Sequence, residues 1–228
     1  MQALAEPKDP KARGSRDPSG SVARILAAAR EEFGANGFDG TRVEHIARRA
    51  KVSKQLVYLY FDGKSELYSE LLKTISIESY TKLLKIDFDA LDPQTAVRTY
   101  ILSIYDQYRD DPVMAMVTLD QSLHNGAQIR LSPEAKRMHD AVSDRLGKVV
   151  ERGKSAGLLN ADVTMESLEF MTVIIVAGCV SSRGMFSRFL GRSLMDQDDP
   201  AFWRNYALSF ILRALRGDEK PSDQADSG

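Results

Sequence analysis

Residues 34–67 contain the pattern that most restricts the fold: two short helices joined by a tight turn and followed directly by a third helix. Apolar residues recur at the i, i+3, i+4 and i+7 positions that define one face of a helix, and they predict a first helix over residues 42–50. Thr41 is the expected N-cap of this helix. Glu44, three residues further on, completes the pattern of a capping box.

The second helix of the pair is predicted over residues 54–61, with Ser53 as its N-cap. Val57 and Phe61 should face the core, and Tyr58 should do so in part. The outward side combines polar and large apolar residues: Lys54, Gln55, Leu56, Leu59 and Tyr60. Such a mixture is unfavourable on a solvated surface, but it suits the DNA major groove, which presents methyl groups and base edges beside the phosphates.

A helix that enters the major groove by its N-terminal end would contact both bases and phosphates. Lys54 and Gln55 would reach base edges, Leu56 would reach a thymine methyl group, and tyrosine hydroxyls would reach phosphates. The candidate DNA-binding residues are Thr41, Arg42, Ser53, Lys54, Gln55, Leu56, Tyr58, Tyr60 and Lys64. The alternative is a helical adaptor without specific DNA binding, which would bind another protein through the surface at residues 58–61.

The segment from Phe33 to Leu67 resembles the N-terminal domain of the TetR (tetracycline-repressor-like) family of transcriptional regulators. The residues that carry the resemblance are Gly37-Phe38, Thr41, Ile46-Ala47, Ala50, Val52-Ser53, Tyr58, Tyr60-Phe61, Lys64, Glu66 and Leu67. They occur in order and without a gap. The resemblance implies a homodimeric repressor that binds a palindromic double-stranded operator and is released from it by a small-molecule effector.

The sequence departs from the family pattern in three places. Lys51 stands where the family usually has a glycine in the turn, and it is strained if its φ is positive. Gln55 and Leu56 replace the small residues that are common early in the recognition helix, so they are expected to be specific to this operator. Asp62-Gly63 replaces a common proline-serine pair, and its glycine is an adequate N-cap for the next helix.

The chain has a net charge of −1, and its positive charge is concentrated near the N-terminus. Residues 1–73 contain thirteen Lys and Arg against ten Asp and Glu, whereas residues 74–228 contain eighteen against twenty-two. This distribution places the field that favours DNA on the N-terminal unit. No apolar run is long enough to span a bilayer, and no signal peptide is predicted, so we expect a cytoplasmic protein without a membrane partner.

Residues that carry catalytic or metal chemistry are sparse. The histidines, His45, His124 and His139, have no second ligand at i+4 and no cysteine partner, and the single Cys179 is expected to be a buried hydrophobe. The sequence also has no phosphate-binding glycine loop and no nucleophile elbow. We therefore predict no catalytic residues, no metal site, no cofactor and no enzymatic activity.

The pattern along the chain predicts an all-α fold of about nine helices. Residues 1–20 are expected to form a disordered arm, residues 21–63 a three-helix DNA-binding domain, residues 64–216 an effector-binding and dimerisation domain, and residues 217–228 a disordered tail. The helices predicted after the helix-turn-helix pair cover residues 64–86, 93–109, 112–124, 133–155, 164–185 and 200–216.

The last two predicted helices are apolar on more than one side, so each must be covered on more than one side. The family resemblance implies a two-fold interface formed by Ile175, Cys179, Phe202, Trp203, Tyr206, Phe210 and Ile211. The alternative is that these residues belong to the core of a monomer.

The family resemblance also implies a ligand pocket among the middle helices. Its candidate lining residues are Tyr105, Tyr108, Met114, Gln121, His124, Asn125, Phe170, Met171 and Ile174. They combine apolar walls with a few polar groups, which is typical of small-molecule sites. For each residue taken alone, ordinary core packing explains the pattern as well.

Overall fold

The computed structural model describes residues 18–130, 132–191 and 201–217, and within these ranges the chain is helical with no strand. The helices are α1 (Pro18–Gly40), α2 (Val43–Arg49), α3 (Lys54–Tyr60), α4 (Lys64–Leu84), α5 (Pro93–Asp110), α6 (Pro112–Leu123), α7 (Pro133–Ser155), α8 (Met165–Ser181), α9 (Arg183–Leu190) and α10 (Phe202–Leu215). This architecture confirms the predicted all-α fold. The predicted disorder of the two ends falls almost wholly on residues 1–17 and 218–228, which lie outside the described ranges.

The helices of the larger domain begin at the predicted local signals. Proline occupies the first turn of α5, α6 and α7, and the preceding residue, Asp92, Asp111 or Ser132, accepts a hydrogen bond from a backbone N–H of that turn. At the start of α8, Thr164 and Ser167 form a reciprocal capping box. These side chains satisfy N–H groups that have no partner within the helix.

The prediction of one helix over residues 164–185 is wrong. The chain forms two helices in this region, α8 and α9, which meet at Ser182 with a bend of 54°. The break follows a Ser181-Ser182 pair, and serine hydroxyls compete with the backbone hydrogen bonds that continue a helix. The described residues therefore contain one helix more than the nine predicted.

The predicted N-cap and capping box at Thr41 are also wrong. Gly37 interrupts the helical geometry of α1 with φ 66° and ψ −177°, and the chain turns inward after it. Thr41 is only 2% exposed, and its hydroxyl lies 3.0 Å from the Glu32 carbonyl oxygen and 2.8 Å from that of Gly37. Arg42 occupies the N-cap position of α2 instead, without a side-chain capping bond.

One hydrophobic core extends through both parts of the molecule. The N-terminal part buries Ile25, Ala29, Phe33, Ile46 and Val57, and the larger part buries Tyr100, Ile101, Leu146, Leu168 and Val176. The two parts share α4 and a close contact between α1 and α6. At that contact a Cβ on Gly34 would lie 2.7 Å from a methyl group of Val113, so only glycine permits the observed approach.

Candidate nucleic-acid interface and ligand cavity

The helix-turn-helix pair consists of α2, a short turn and α3. Lys51 in the turn has φ 55°, so the departure from the usual glycine places a side chain in the left-handed region, at a cost of about 1 kcal/mol. Ser53 caps α3 by accepting a hydrogen bond from the Leu56 N–H at 3.2 Å. Val57 and Phe61 are buried, and both of these predictions are confirmed.

The outer face of α3 combines exposed aromatic, apolar and polar side chains. Leu59 is 75% exposed and Tyr58 is 47% exposed. Gln55 is exposed, and its side chain makes no hydrogen bond to any described residue. Lys54 forms an ion pair with Glu44, which raises the pKa of Lys54, and its ammonium lies 5.6 Å from the centre of the Tyr58 ring. This face can donate hydrogen bonds and make apolar contacts at the same time.

The candidate DNA-binding residues fall into two groups. The first group consists of Arg42, Ser53, Lys54, Gln55 and Tyr58, which are exposed, and Leu56, which is half-buried without packing against the core. The other three are engaged within the domain: Thr41 is buried, Tyr60 is half-buried against the core, and Lys64 donates to backbone carbonyls. The Lys64 ammonium lies 3.0 Å from the Phe38 carbonyl oxygen and 3.3 Å from that of Thr41. These contacts connect the start of α4 to the end of α1 and to Thr41.

Asp120 of α6 joins the two domains. Its carboxylate accepts a hydrogen bond from the Phe38 N–H at 3.0 Å and another from the Tyr68 hydroxyl at 2.6 Å. Gly37 makes room for this contact, because a Cβ there would lie 2.9 Å from the Asp120 carboxylate. Burial and this hydrogen bond raise the pKa of Tyr68. One carboxylate thus connects α6 with the end of α1 and with the first turns of α4.

A cavity of about 480 Å³ lies in the larger domain among α4, α5, α6, α7 and α8. Six of the nine candidate pocket residues line it: Tyr108, Met114, Gln121, Asn125, Phe170 and Ile174. Its size is in the range of ordinary small-molecule sites, and most of its wall is apolar.

The remaining three candidates lie elsewhere. Tyr105 is buried towards Cys179 and Arg183, outside the cavity wall. Met171 is exposed on the outer side of α8. His124 belongs to the domain junction, where its Nδ1 lies 2.7 Å from the Asp120 carbonyl oxygen and its Nε2 lies 3.2 Å from Asp39. The hydrogen bond to that carbonyl oxygen, followed by the one to Asp39, raises the pKa of His124.

Sequence reasoning missed the contribution of α4 to the cavity. One stripe of this helix lines the wall with Leu72, Ile75, Ser76, Ser79, Tyr80 and Leu83. These positions follow the i, i+3, i+4, i+7, i+8, i+11 spacing of a single helical face. Two serines and a tyrosine within an otherwise apolar stripe were the available signal, because a face buried wholly in a core rarely carries three hydroxyl groups.

The cavity also contains polar groups that the sequence analysis did not single out. Tyr80 and Tyr100 line it, and burial raises the pKa of Tyr80 to about 12 and also raises that of Tyr100. The negative charge of Glu169 on α8 contributes to both shifts. Glu169 lines the cavity with its side chain 32% exposed, and its carboxylate lies 3.3 Å from His139 Nε2.

A second surface on α8, α9 and α10 is apolar and exposed. The large side chains exposed there are Phe170, Met171, Ile174, Met185, Phe186, Phe189, Leu190, Phe202, Tyr206 and Phe210. Of the predicted interface residues, Phe202, Tyr206 and Phe210 are exposed, and Ile175, Cys179 and Trp203 are partly exposed. Ile211 is 2% exposed and belongs to the core of its own chain, which removes it from this surface.

Among the described residues, no group of three or more His, Cys, Asp or Glu side chains is arranged to hold a metal ion. No single helix among them has the length and apolar character needed to cross a membrane, although α8 and α9 meet the criteria together across their bend.

Known proteins share this arrangement. A family model described as bacterial regulatory proteins, tetR family, matches residues 25–71, and one described as tetracyclin repressor-like, C-terminal domain, matches residues 93–211. The HTH-type transcriptional repressor NicS of Pseudomonas putida is 29% identical over 192 residues, which is 84% of this chain and 91% of that protein. The HTH-type transcriptional regulator RutR of Escherichia coli is 31% identical over 144 residues, or 62% of this chain and 68% of that protein.

A solved structure shows the same fold. The transcriptional regulator FadR from Bacillus subtilis, in complex with stearoyl-CoA, superposes with a TM-score of 0.59 at 18% identity, covering 85% of this chain and 99% of that chain. The fold and the exposed α3 define a helix-turn-helix transcriptional regulator with a helical second domain. The two family models together cover most of the chain, and the protein belongs to the TetR family.

Proposed function

We propose that this protein is a homodimeric repressor that binds a palindromic operator and leaves it when a small molecule occupies the cavity. The observation that carries the proposal is the placement of α4. This helix begins directly after the helix-turn-helix pair, and further along it lines the cavity. A ligand that favours one position of α4 therefore changes the position of α3, which couples the two sites.

The similar proteins support the repressor role. NicS is named a transcriptional repressor, and FadR has been solved with a bound acyl-CoA. In the proposal, residues 21–63 bind DNA, and residues 64–216 bind the effector and form the dimer. The exposed apolar surface of α8 and α10 supports dimerisation, since large exposed apolar patches mark interaction sites. A two-fold dimer places two copies of α3 about one DNA turn, roughly 34 Å, apart.

We infer a regulator in the cytoplasm and not an enzyme. The support is the family membership together with the nature of the two sites, one a surface for DNA and the other a mainly apolar cavity. An effector in such a cavity needs only to be bound and released, so the proposal assigns no catalytic residue.

Selection of bound fragments from random double-stranded DNA tests the DNA-binding part of the proposal. We expect a palindromic consensus, and we expect affinity for it to fall steeply with salt, because neutralising phosphates releases counterions. An adaptor protein would give no enriched fragment and no specific complex at any salt concentration. That outcome would overturn the proposal in favour of the alternative function.

Variants of the exposed residues then assign roles on the DNA. Gln55→Ala should lose discrimination between the selected site and random DNA, because the amide is expected to contact a base edge. Arg42→Ala should weaken binding to all sequences alike, as expected for a phosphate contact. Gln94→Ala on α5, an exposed glutamine outside both sites, is the matched control. Unchanged discrimination in Gln55→Ala would contradict the assignment of the base-reading residue.

A further inference from the structure

The charged residues of the cavity wall differ in whether they have an ion-pair partner of opposite charge. Lys73 and Arg130 lie on its wall, but each has a carboxylate partner on α4. The Lys73 ammonium is 3.0 Å from Glu70, and the Arg130 guanidinium is 3.8 Å from Glu66. Neither partner lines the cavity. Each positive charge at the wall thus has a carboxylate of α4 beside it, outside the cavity.

The negative charge of Glu169 has no such cationic Lys or Arg partner among the described residues. Its hydrogen-bonding contact is His139, whose Nε2 also lies 3.4 Å from Ser143 and whose Nδ1 lies 3.4 Å from Asp140. That imidazole is shared with a second carboxylate and orients Glu169. The negative charge of Glu169 helps to raise the pKa of Tyr80 and of Tyr100, two other residues of the cavity wall.

Aromatic rings line the same space. Tyr80, Tyr100, Tyr108 and Phe170 come from α4, α5 and α8, and each contributes to the wall. The face of an aromatic ring is negative, so it attracts a cation placed over it, and the attraction is stronger where water is excluded. A carboxylate that shares a cavity wall with several aromatic rings favours a positively charged group over a negative one.

The hydroxyl and amide groups of the wall strengthen this preference. Ser76 and Ser122 already donate their hydroxyl hydrogens to the backbone carbonyls of Leu72 and Thr118, both at 2.9 Å. The Gln121 amide donates to Gln128 at 3.2 Å, whereas its buried carbonyl oxygen has no hydrogen-bond partner. The Gln121 carbonyl oxygen and the two serine hydroxyl oxygens can therefore still accept hydrogen bonds. A ligand that supplies N–H donors would satisfy them.

We propose that the effector cavity takes an organic cation with an aromatic or apolar body, such as a protonated amine, with Glu169 as its counter-charge. The inference deepens the effector role proposed above and rests on it. The aromatic and aliphatic side chains of the wall hold the body of the ligand, and the carboxylate selects its charge. A cavity of about 480 Å³ accommodates a bicyclic ring with a short substituent.

Three naphthalene derivatives of nearly equal size test the charge preference with the full-length protein: 2-naphthylmethylammonium, 2-naphthylmethanol and 2-naphthoate. Isothermal titration calorimetry should show the ammonium bound at least about tenfold more tightly than the carboxylate. Glu169→Gln keeps the size and an acceptor for His139 but removes the charge. It should lower the affinity for the ammonium compound by about tenfold or more and leave the affinity for the alcohol unchanged.

Glu166→Gln, on the same helix but outside the cavity wall, is the control and should bind all three compounds as the unmodified protein does. Thermal unfolding monitored by circular dichroism checks that both variants are folded. Binding of the carboxylate as tight as or tighter than that of the ammonium, an unchanged ammonium affinity in Glu169→Gln, or no binding of any of the three compounds would overturn the proposed ligand class.

The effect on DNA is measured separately by fluorescence anisotropy with a selected operator fragment. Release of the fragment by the ammonium compound supports both proposals. Charge-selective binding that leaves operator affinity unchanged would overturn the effector role while the ligand class stands. Release by the carboxylate alone would overturn the ligand class while the effector role stands.

Discussion

Replacing Asp120 with alanine should weaken the connection between the DNA-binding domain and the larger domain. The Asp120 carboxylate, whose side chain is 13% exposed, accepts hydrogen bonds from the Phe38 N–H and the Tyr68 hydroxyl. Alanine leaves both donors without an acceptor. Tyr68 is fully buried, so water cannot readily replace the carboxylate at its hydroxyl, whereas Phe38 is only partly buried.

The expected loss of stability is about 3 kcal/mol. A buried donor left without a partner costs roughly 1–3 kcal/mol, so two donors set a range of about 2–6 kcal/mol. The lower half of this range applies because the Phe38 N–H lies near solvent and gains a water molecule. Asp39→Ala is the matched control, since the Asp39 side chain is 82% exposed and its ion-pair partner among the described residues is His124, and it should change stability by less than about 0.5 kcal/mol.

Urea unfolding at fixed protein concentration measures both variants, because the stability of a dimer depends on concentration. Tyr68→Phe removes one of the two hydrogen-bond donors to Asp120. In that background Asp120→Ala should lower the free energy of unfolding by at least about 1 kcal/mol less than it does in the unmodified protein. The reasoning fails if Asp120→Ala is no more destabilising than Asp39→Ala, or if the Asp120 and Tyr68 substitutions are additive.

Two further substitutions have predictable effects. Lys51→Gly should raise the free energy of unfolding by about 0.5–1 kcal/mol, because glycine adopts a positive φ without strain. Lys51→Ala keeps the strain and should give no gain in stability. Equal melting temperatures for the two variants would contradict this. The fold raises the pKa of His124 above its ordinary value of 6.5, so its stabilising contribution is complete below that value and is lost as the pH rises through the folded-state pKa. His124→Gln should therefore reduce the difference in melting temperature between about pH 6 and about pH 8, and an unchanged difference would refute the assignment.

Features set by neighbouring residues were predictable from the sequence. The starts of α5, α6 and α7 follow from Asp92-Pro93, Asp111-Pro112 and Ser132-Pro133, because an N-cap side chain and a proline act within one turn of the chain. The burial of Val57 and Phe61 follows from helical spacing alone. Leu59 is exposed as predicted, but the two tyrosines are not where the spacing placed them: Tyr60, predicted to face outward, is half-buried against the core, and Tyr58, predicted to face partly inward, is 47% exposed.

Features set by distant contacts were not predictable. Thr41 has the local pattern of an N-cap, but Gly37 turns the chain and a carbonyl nine residues away takes its hydroxyl. Lys64 has the sequence context of a phosphate ligand, and its contacts with the carbonyl oxygens of Phe38 in α1 and of Thr41 could not be read from that context. The cavity wall depends on which face of α4 packs against α5 and α7. Spacing defines that face but does not identify its partners.

The length of α4 makes it a lever. Its 21 residues extend over roughly 30 Å, so a tilt of about 5° about the cavity end displaces the end near Gly63 by about 2.6 Å. In a two-fold dimer the two levers swing in opposite directions, and the distance between recognition helices changes by about 5 Å, against a repeat of roughly 34 Å along the duplex. A tilt of α4 by a few degrees around a bound ligand is therefore enough to prevent the two recognition helices from fitting successive major grooves at the same time.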